Sequence, residues 1–213
     1  MGFCEIDPYC QKVLRKHWPD VPIYEDIRKL DGQDYKGAVD IITGGFPCQA
    51  FRHAGKRRGK DDDRNLWPEM ARVIRETRPN FIVGENTYGI VSMELDNVLS
   101  DLEGFGYTAE AIVIPACAVE SHQGRQRVWI LAHTMQGKRS FGRDVPGGRW
   151  ESKQISWNGM GEKKATPRVV GKFDGIPNGL DRIRSLGNAI VPQVAEMIFR
   201  AIDDSVCQGQ ESK

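Results

Sequence analysis

Three short segments of this 213-residue chain combine residue types that could carry out covalent chemistry. In Gly44-Gly45-Phe46-Pro47-Cys48-Gln49, paired glycines allow a tight strand exit and Pro47 stiffens the approach to a thiol. Glu85-Asn86 directly follows an apolar run. Gln123-Gly124-Arg125-Gln126-Arg127 carries alternate arginines, which share one side of an extended segment. Cysteine attacks as the thiolate, and nearby cations favour that form. A thiol, a carboxylate and guanidinium groups at one sheet edge would therefore make a covalent-catalysis site. Each segment also has a plainer reading. Cys48 could be a small buried hydrophobe, Glu85 a helix cap, and Arg125 and Arg127 a solvated strand edge.

The elements that must position these residues read as alternating strands and helices. Val39 to Thr43, Phe81 to Gly84 and Val128 to Ala132 are short, branched apolar runs bounded by turn residues, so they predict buried strands, and Gly2 to Cys4 predicts another. Asp7-Pro8 predicts a helix start, with Cys10, Val13, Leu14 and His17 on one face. Ser92 is the expected cap of a second helix, in which Leu95, Val98, Leu99 and Leu102 recur before Gly104. Pro192 opens a third, with Val194, Met197, Ile198, Ala201 and Ile202 on its apolar face. This alternation predicts a parallel α/β sheet, in which ligands bind beyond the carboxyl ends of the strands. Cys48 and Glu85 both follow such ends. Residues 133 to about 180 are rich in Gly, Lys, Arg, Trp and Ser and read as a loop-rich insert.

Composition narrows the classes. Hydrophobic residues make up 39% and charged residues 28%, and no apolar run is long enough to span a bilayer, so a membrane protein is not expected. Lys+Arg 30 against Asp+Glu 29 leaves a net charge of +1, so any nucleic acid must be met by a local basic patch. Arg52-His53-Ala54-Gly55-Lys56-Arg57-Arg58-Gly59-Lys60 supplies one immediately after the thiol. The five cysteines form no CxxC pair, which argues against a disulfide framework and against a zinc or other metal site. Reduced thiols and the lack of a secretory signal predict a cytoplasmic protein.

Five blocks in order resemble the DNA cytosine 5-methyltransferases that use S-adenosylmethionine. Gly44 to Gln49 is similar to the family's nucleophile loop, Asp63-Arg64-Asn65-Leu66-Trp67 to its next block, and Glu85-Asn86 to its carboxylate motif. Gln123-x-Arg125-x-Arg127 resembles its paired arginines, and Gly187-Asn188-Ala189-Ile190-Val191-Pro192 the segment that returns to close the cofactor site. The resemblance implies that Cys48 attacks C6 of a flipped cytosine, Glu85 holds or protonates N3, and Arg125 orients the base. It implies double-stranded DNA as partner, contacted by Gln49, Arg52, Lys56, Arg57, Arg58, Lys60 and Arg127. It also implies S-adenosylmethionine as cofactor. Glu5 would bind the ribose hydroxyls, Ile6 would pack on adenine and Asp26 with Ile27 would meet its amino edge, while Pro47, Leu66, Asn188 and Ala189 complete the pocket.

The implied fold is a Rossmann-like class I methyltransferase sheet in which residues 1–132 form the core. Residues 133–167 are the short target-recognition insert, 168–205 return to the core, and 206–213 are a tail. No room exists ahead of Glu5 for the family's glycine-rich turn, so the sheet is expected to lack its usual first strand, and a second chain supplying the glycine loop is a further candidate partner. Departures from the family pattern are Thr87 for a usual valine, Arg52 for a serine and His122 for a proline. Two other readings compete. One is a catalytically silent or split fragment acting only in DNA or partner binding. The other is an unrelated thiol hydrolase using His53 as its base.

Overall fold

Short-range signals set the first elements of the computed structural model, which describes residues 1–47, 65–119, 125–134 and 189–208. The strand β1 (Phe3–Cys4) leads into helix α1 (Pro8–His17), which starts where expected because the Asp7 carboxylate accepts from the amides of Tyr9 at 2.8 Å and Cys10 at 3.2 Å. β2 (Ile23–Tyr24) then lies parallel to β1, pairing Phe3 with Ile23 and Cys4 with Tyr24. Two 3-10 turns, Ile27–Lys29 and Gln33–Tyr35, precede β3 (Ile41–Gly44). There follow α2 (Trp67–Thr77), β4 (Phe81–Thr87), a 3-10 turn Tyr88–Ser92, α3 (Leu95–Gly104), β5 (Tyr107–Pro115) and β6 (Gln126–Thr134).

The larger sheet has the order β3-β4-β6-β5, and the fold class is α/β as expected. The expectation that all strands run parallel needs correcting. β3 is parallel to β4, but β6 is antiparallel to both β4 and β5. The cause is the connection. A parallel return needs a crossover of about a dozen residues or more, usually helical, whereas β5 ends at Pro115 and β6 begins at Gln126 with only a 3-10 turn, Ala116–Val119, described between them. Neither β5 nor α2 is anticipated by the apolar runs of the sequence.

The core follows from helix spacing. Met70, Ala71 and Ile74 of α2 and Val98 and Leu102 of α3 present one apolar stripe each, and these pack with Ile82 of β4 and Val128, Ile130 and Ala132 of β6. Val83, Trp129 and Leu131, on the opposite face of the same two strands, are buried as well. β4 and β6 are therefore covered on both sides, which suits strands that read as continuous apolar runs. Three helix expectations differ from the structure. The buried residue of α1 is Gln11, while Val13 and His17 are exposed, because the Gln11 amide donates to the Glu5 carbonyl at 2.7 Å and accepts from Arg15. Ser92 does not cap α3. It sits in the preceding 3-10 turn, and Glu94 takes the cap position. The third helix, α4 (Pro192–Gln208), starts at Pro192 and buries Val194, Ile198 and Ile202, but Met197 is 49% exposed.

Two compact units divide the chain: Met1–Pro115 with Gln126–Gly137, and Ala116–Arg125 with Lys138–Lys213. The sheets, α1, α2 and α3 belong to the first and α4 to the second. Of the expected insert at 133–167, only His133 and Thr134 fall among the described residues. Among the described residues, no helix is long and apolar enough to cross a membrane. Leu102→Ala is expected to lower the unfolding free energy by about 2–5 kcal/mol, since it empties a fully buried position, whereas Asn97→Ala on the exposed face of α3 costs less than about 0.5 kcal/mol. Urea denaturation of both variants checks the pair.

Candidate active site

β3 ends at Gly44 opposite Gly84, and β4 runs on beyond that point through Glu85 to Thr87. The chain leaving β3 is held close to this ledge. A Cβ at Gly84 would lie 3.3 Å from Ile130 Cβ, so the glycine lets Ile130 of β6 pack close to β4, with the Phe46 ring at van der Waals distance beside it. Phe46 is buried and meets the Trp67 ring at a centroid separation of 5.1 Å. Its carbonyl accepts a 2.9 Å hydrogen bond from Nδ2 of Asn86, a side chain only 5% exposed, and Oδ1 of Asn86 accepts from the Thr87 amide. The chain is thus fixed by an apolar ring and a buried amide two residues ahead of Cys48. Cys48 itself lies outside the described residues, as do Gln49, Arg52, Lys56, Arg57, Arg58, Lys60 and Asn188.

The return into α2 is fixed with equal care. The Leu66 amide donates to the Pro47 carbonyl at 3.4 Å, which joins the residues on either side of 48–64. Oδ1 of Asn65 accepts from the Trp67 amide, while its Nδ2 donates to Glu94 at 3.3 Å. The Trp67 indole donates to Asp101 of α3 at 2.8 Å. Pro47 and Leu66, both expected at the cofactor, are therefore brought together by the backbone.

Glu85 and Arg127 form an ion pair, Nε to Oε1 at 2.8 Å, with side chains 13% and 16% exposed. The register explains it. Glu85 pairs with Trp129 and Thr87 with Arg127, so Arg127 stands two residues along the neighbouring strand on the face of Glu85. A Cβ on Gly45 would lie 3.5 Å from Glu85 Oε2, which places the exit of β3 against the same carboxylate. A carboxylate, a guanidinium and the approach to the thiol therefore converge at one strand end. Arg125, expected in catalysis, belongs to the second unit, where its carbonyl accepts from the Ala116 amide at 2.8 Å; Ala189 is also in that unit and is exposed.

A second cluster occupies the carboxyl end of β1 and β2. The Glu5 amide donates to Tyr24 O, its Oε1 accepts from the Asp7 amide at 2.8 Å, and Gln11 holds its carbonyl. Burial pushes the Cys4 thiol above its ordinary value, and the nearby carboxylates of Asp26 and Glu5 push it further. Both acids therefore lie near the Cys4 thiol, and Ile6, next in the chain after Glu5, is 58% exposed. Two carboxylates beside an uncovered isoleucine suit a ligand that offers hydroxyl groups and a flat apolar ring. Asp26 is already engaged: it caps the turn Ile27–Lys29 and pairs with Arg28 at 2.9 Å, which holds its carboxyl below the usual aspartate value. Ile27 packs against the core.

The model of the C-5 cytosine-specific DNA methylases matches residues 1–170. The chain belongs to this family. Among curated members of these DNA methylases it is 37% identical to the type II methyltransferase M.Eco47II of Escherichia coli over 138 residues, 60% of this chain and 32% of that protein. It is 35% identical to M.NgoMIV of Neisseria gonorrhoeae over 137 residues, covering 62% of this chain and 44% of the relative. With M.AquIA of Picosynechococcus sp. the identity is 30% over 172 residues, 71% of this chain and 69% of the relative. The chain thus spans less than half of the first two relatives. Among solved structures it shares its fold with a DNMT2 mutant of Spodoptera frugiperda, at a TM-score of 0.56 and 21% identity over 67% of this chain and 45% of the other. The S. pombe Dnmt2 methyltransferase is similar at 0.52 and 20%, over 62% and 42%.

Two of these methylase features were not singled out from sequence as carrying a role. Asn86 stands in a quoted motif, yet its task is to hold a carbonyl forty residues earlier in the chain. Gln11 carries the Glu5 backbone although nothing in its spacing marks it. Asn86→Ala is expected to cost about 1–3 kcal/mol in urea denaturation, because the Phe46 carbonyl loses its buried donor. Asn86→Asp is expected to lose stability as well, having no donor. Arg28→Gln should raise the Asp26 midpoint toward the ordinary aspartate value in a carbon-detected NMR titration. The folded-state midpoint is the lowered one, so this pair favours the fold above the ordinary aspartate value and that contribution fades as pH falls through the depressed midpoint.

Proposed function

We propose that this chain acts in the transfer of a methyl group from S-adenosylmethionine to C5 of a flipped cytosine in double-stranded DNA, in the cytoplasm and in a restriction-modification setting. The reading is carried by the Glu85–Arg127 pair standing against Gly45 at the strand exit that leads to Cys48, in a chain of the C-5 cytosine-specific DNA methylases. Its relatives named type II methyltransferases support it.

Cytosine C5 is a poor nucleophile. In the proposed reaction the Cys48 thiolate forms a bond to C6, and the C5–C6 π electrons move toward C5 and the ring. Glu85, in its protonated form, donates a hydrogen bond to N3 of the base, where negative charge develops as the thiolate adds. Arg127 fixes the carboxyl group in place, and Arg125 orients the base from the neighbouring segment. S-adenosylmethionine, when bound, supplies an electrophilic methyl group, and Glu5, Ile6, Asp26, Ile27, Pro47 and Leu66 are the residues proposed to hold it, with Asn188 and Ala189 closing the pocket. With the methyl group on C5 and its bond to sulfur broken, loss of the C5 proton to a water molecule and departure of the Cys48 thiolate re-form the C5–C6 double bond and restore the aromatic ring. Gln49 and the basic residues Arg52, Lys56, Arg57, Arg58 and Lys60 are assigned to DNA contact, whereas Arg127, expected among them, is taken up by its pair with Glu85.

A second reading is favoured by the sheet edges. Among the described residues β1 pairs only with β2 and β3 only with β4, so an added strand from a second chain that also brings a glycine loop would meet two parallel edges. In that case this chain supplies the nucleophile half of a split enzyme, or binds DNA without turnover.

The deciding experiment is covalent trapping. Incubation of the 213-residue chain with S-adenosylmethionine and a varied DNA pool containing 5-fluorocytosine should give a mass-shifted adduct, because fluorine at C5 blocks the final elimination. Cys48→Ser should give none, and Glu85→Gln should slow adduct formation by about 10²-fold or more. An adduct of equal yield in Cys48→Ser removes the proposed nucleophile. An adduct that forms only when the family's glycine-loop segment is added in trans favours the split enzyme.

A further inference from the structure

The guanidinium of Arg72, in the middle of α2, fastens that helix to the segment after β2. Its Nη2 donates to the Ile27 carbonyl at 2.7 Å and its Nη1 to the Leu30 carbonyl at 2.9 Å. From the helix side, Glu69 meets its Nε at 2.9 Å and Glu76 meets its Nη1 at 2.8 Å. The same Glu76 oxygen accepts from the Gly32 amide at 2.9 Å, and a Cβ on Gly32 would lie 2.8 Å from Glu76 Cβ, so the backbone lies flush on the helix. Farther along, the Gly37 amide donates to the Thr77 carbonyl at 3.1 Å. The segment 27–37 is thereby laced to one face of α2, and its first stitch is at Ile27.

We infer that Arg72 is a positioning residue for the adenine end of the cofactor site, acting through the Ile27 carbonyl to fix how Asp26 and Ile27 meet the ring edge; this rests on the methyltransferase reading above. Apolar packing already anchors the Ile27 side chain in the core, so attachment alone does not call for a charged fork. What the fork adds is direction. A planar guanidinium that binds two carbonyls three residues apart sets the rotation of both peptide planes, and a lysine ammonium, being a point charge, cannot reproduce that geometry. Recognition of a base edge depends on such angles, because a donor or acceptor turned away by some tens of degrees loses most of its hydrogen bond. Glu69 and Glu76 hold the guanidinium in place, so the angle is set before any ligand arrives.

The test is calorimetric and needs no turnover. S-adenosylhomocysteine and its inosine counterpart, S-inosylhomocysteine, are titrated into the full chain, into Arg72→Met and into Arg72→Lys, with a melting curve for each protein. The parent chain is expected to prefer the adenine ligand by about tenfold or more. In Arg72→Met that preference should fall below about threefold, chiefly through weaker binding of the adenine ligand, with Arg72→Lys between the two. Should Arg72→Met fail to fold, Glu76→Gln, which loosens the same stitch, should narrow the preference in the same direction. Equal weakening of both ligands with the preference intact, in step with a lower melting temperature, would mean that Arg72 only stabilises the fold. Absence of binding of either ligand to the parent chain overturns the cofactor reading and this inference with it, whereas tight, selective binding that ignores every Arg72 and Glu76 change overturns the inference alone.

Discussion

One buried amide fixes the path of the chain that leads to Cys48. Asn86 spends its donor on the Phe46 carbonyl and its acceptor on the Thr87 amide, so it locks the exit of β3 to the end of β4. An unpaired peptide carbonyl at that depth would be costly, which makes the contact a constraint on the path of the chain and not a decoration on it. The neighbouring arrangements depend on it. Phe46 reaches the Trp67 ring, Gly45 passes the Glu85 carboxylate, and Arg127 completes the pair from β6, all because β3, β4 and β6 stand in that order.

Helix α2 carries this local order across the first unit. Its amino end holds Asn65, Leu66 and Trp67 next to Pro47 and Phe46, and its middle holds Arg72 and Glu76 against the segment after β2. An α-helix is the stiffest connector a chain can make between two such points, because each residue adds a fixed rise of about 1.5 Å. Two clusters drawn from distant parts of the sequence, one near Glu85 and one near Glu5, are thus referred to a common frame. The apolar stripe of α2, Met70, Ala71 and Ile74, seats that frame on the sheet.

Local signals in the sequence were legible, and distant ones were not. Asp7 and Pro8 start α1 as their types demand, and Leu95, Val98, Leu99 and Leu102 mark the inner face of α3, because capping and helical spacing are decided within a few residues. β5 carries no clear strand signal, since Ala109-Glu110-Ala111 favours a helix and the strand is an edge with one partner, β6. The direction of β6 was unreadable for the same reason: strand alternation reveals burial but not polarity. At the site, the motif residues Glu85 and Arg127 were visible by type, yet their pairing follows from a register two strands share, and Asn86 and Arg72 act on carbonyls far away in sequence. A polar residue inside a fold carries no mark of its partner.

The hydrogen bond between Leu66 and Pro47 closes a ring whose perimeter is the chain between them. Phe46 is held by Asn86, and Trp67 by Asp101, so both sides of that closure are anchored by residues outside the span and keep their places independently of the chain between them.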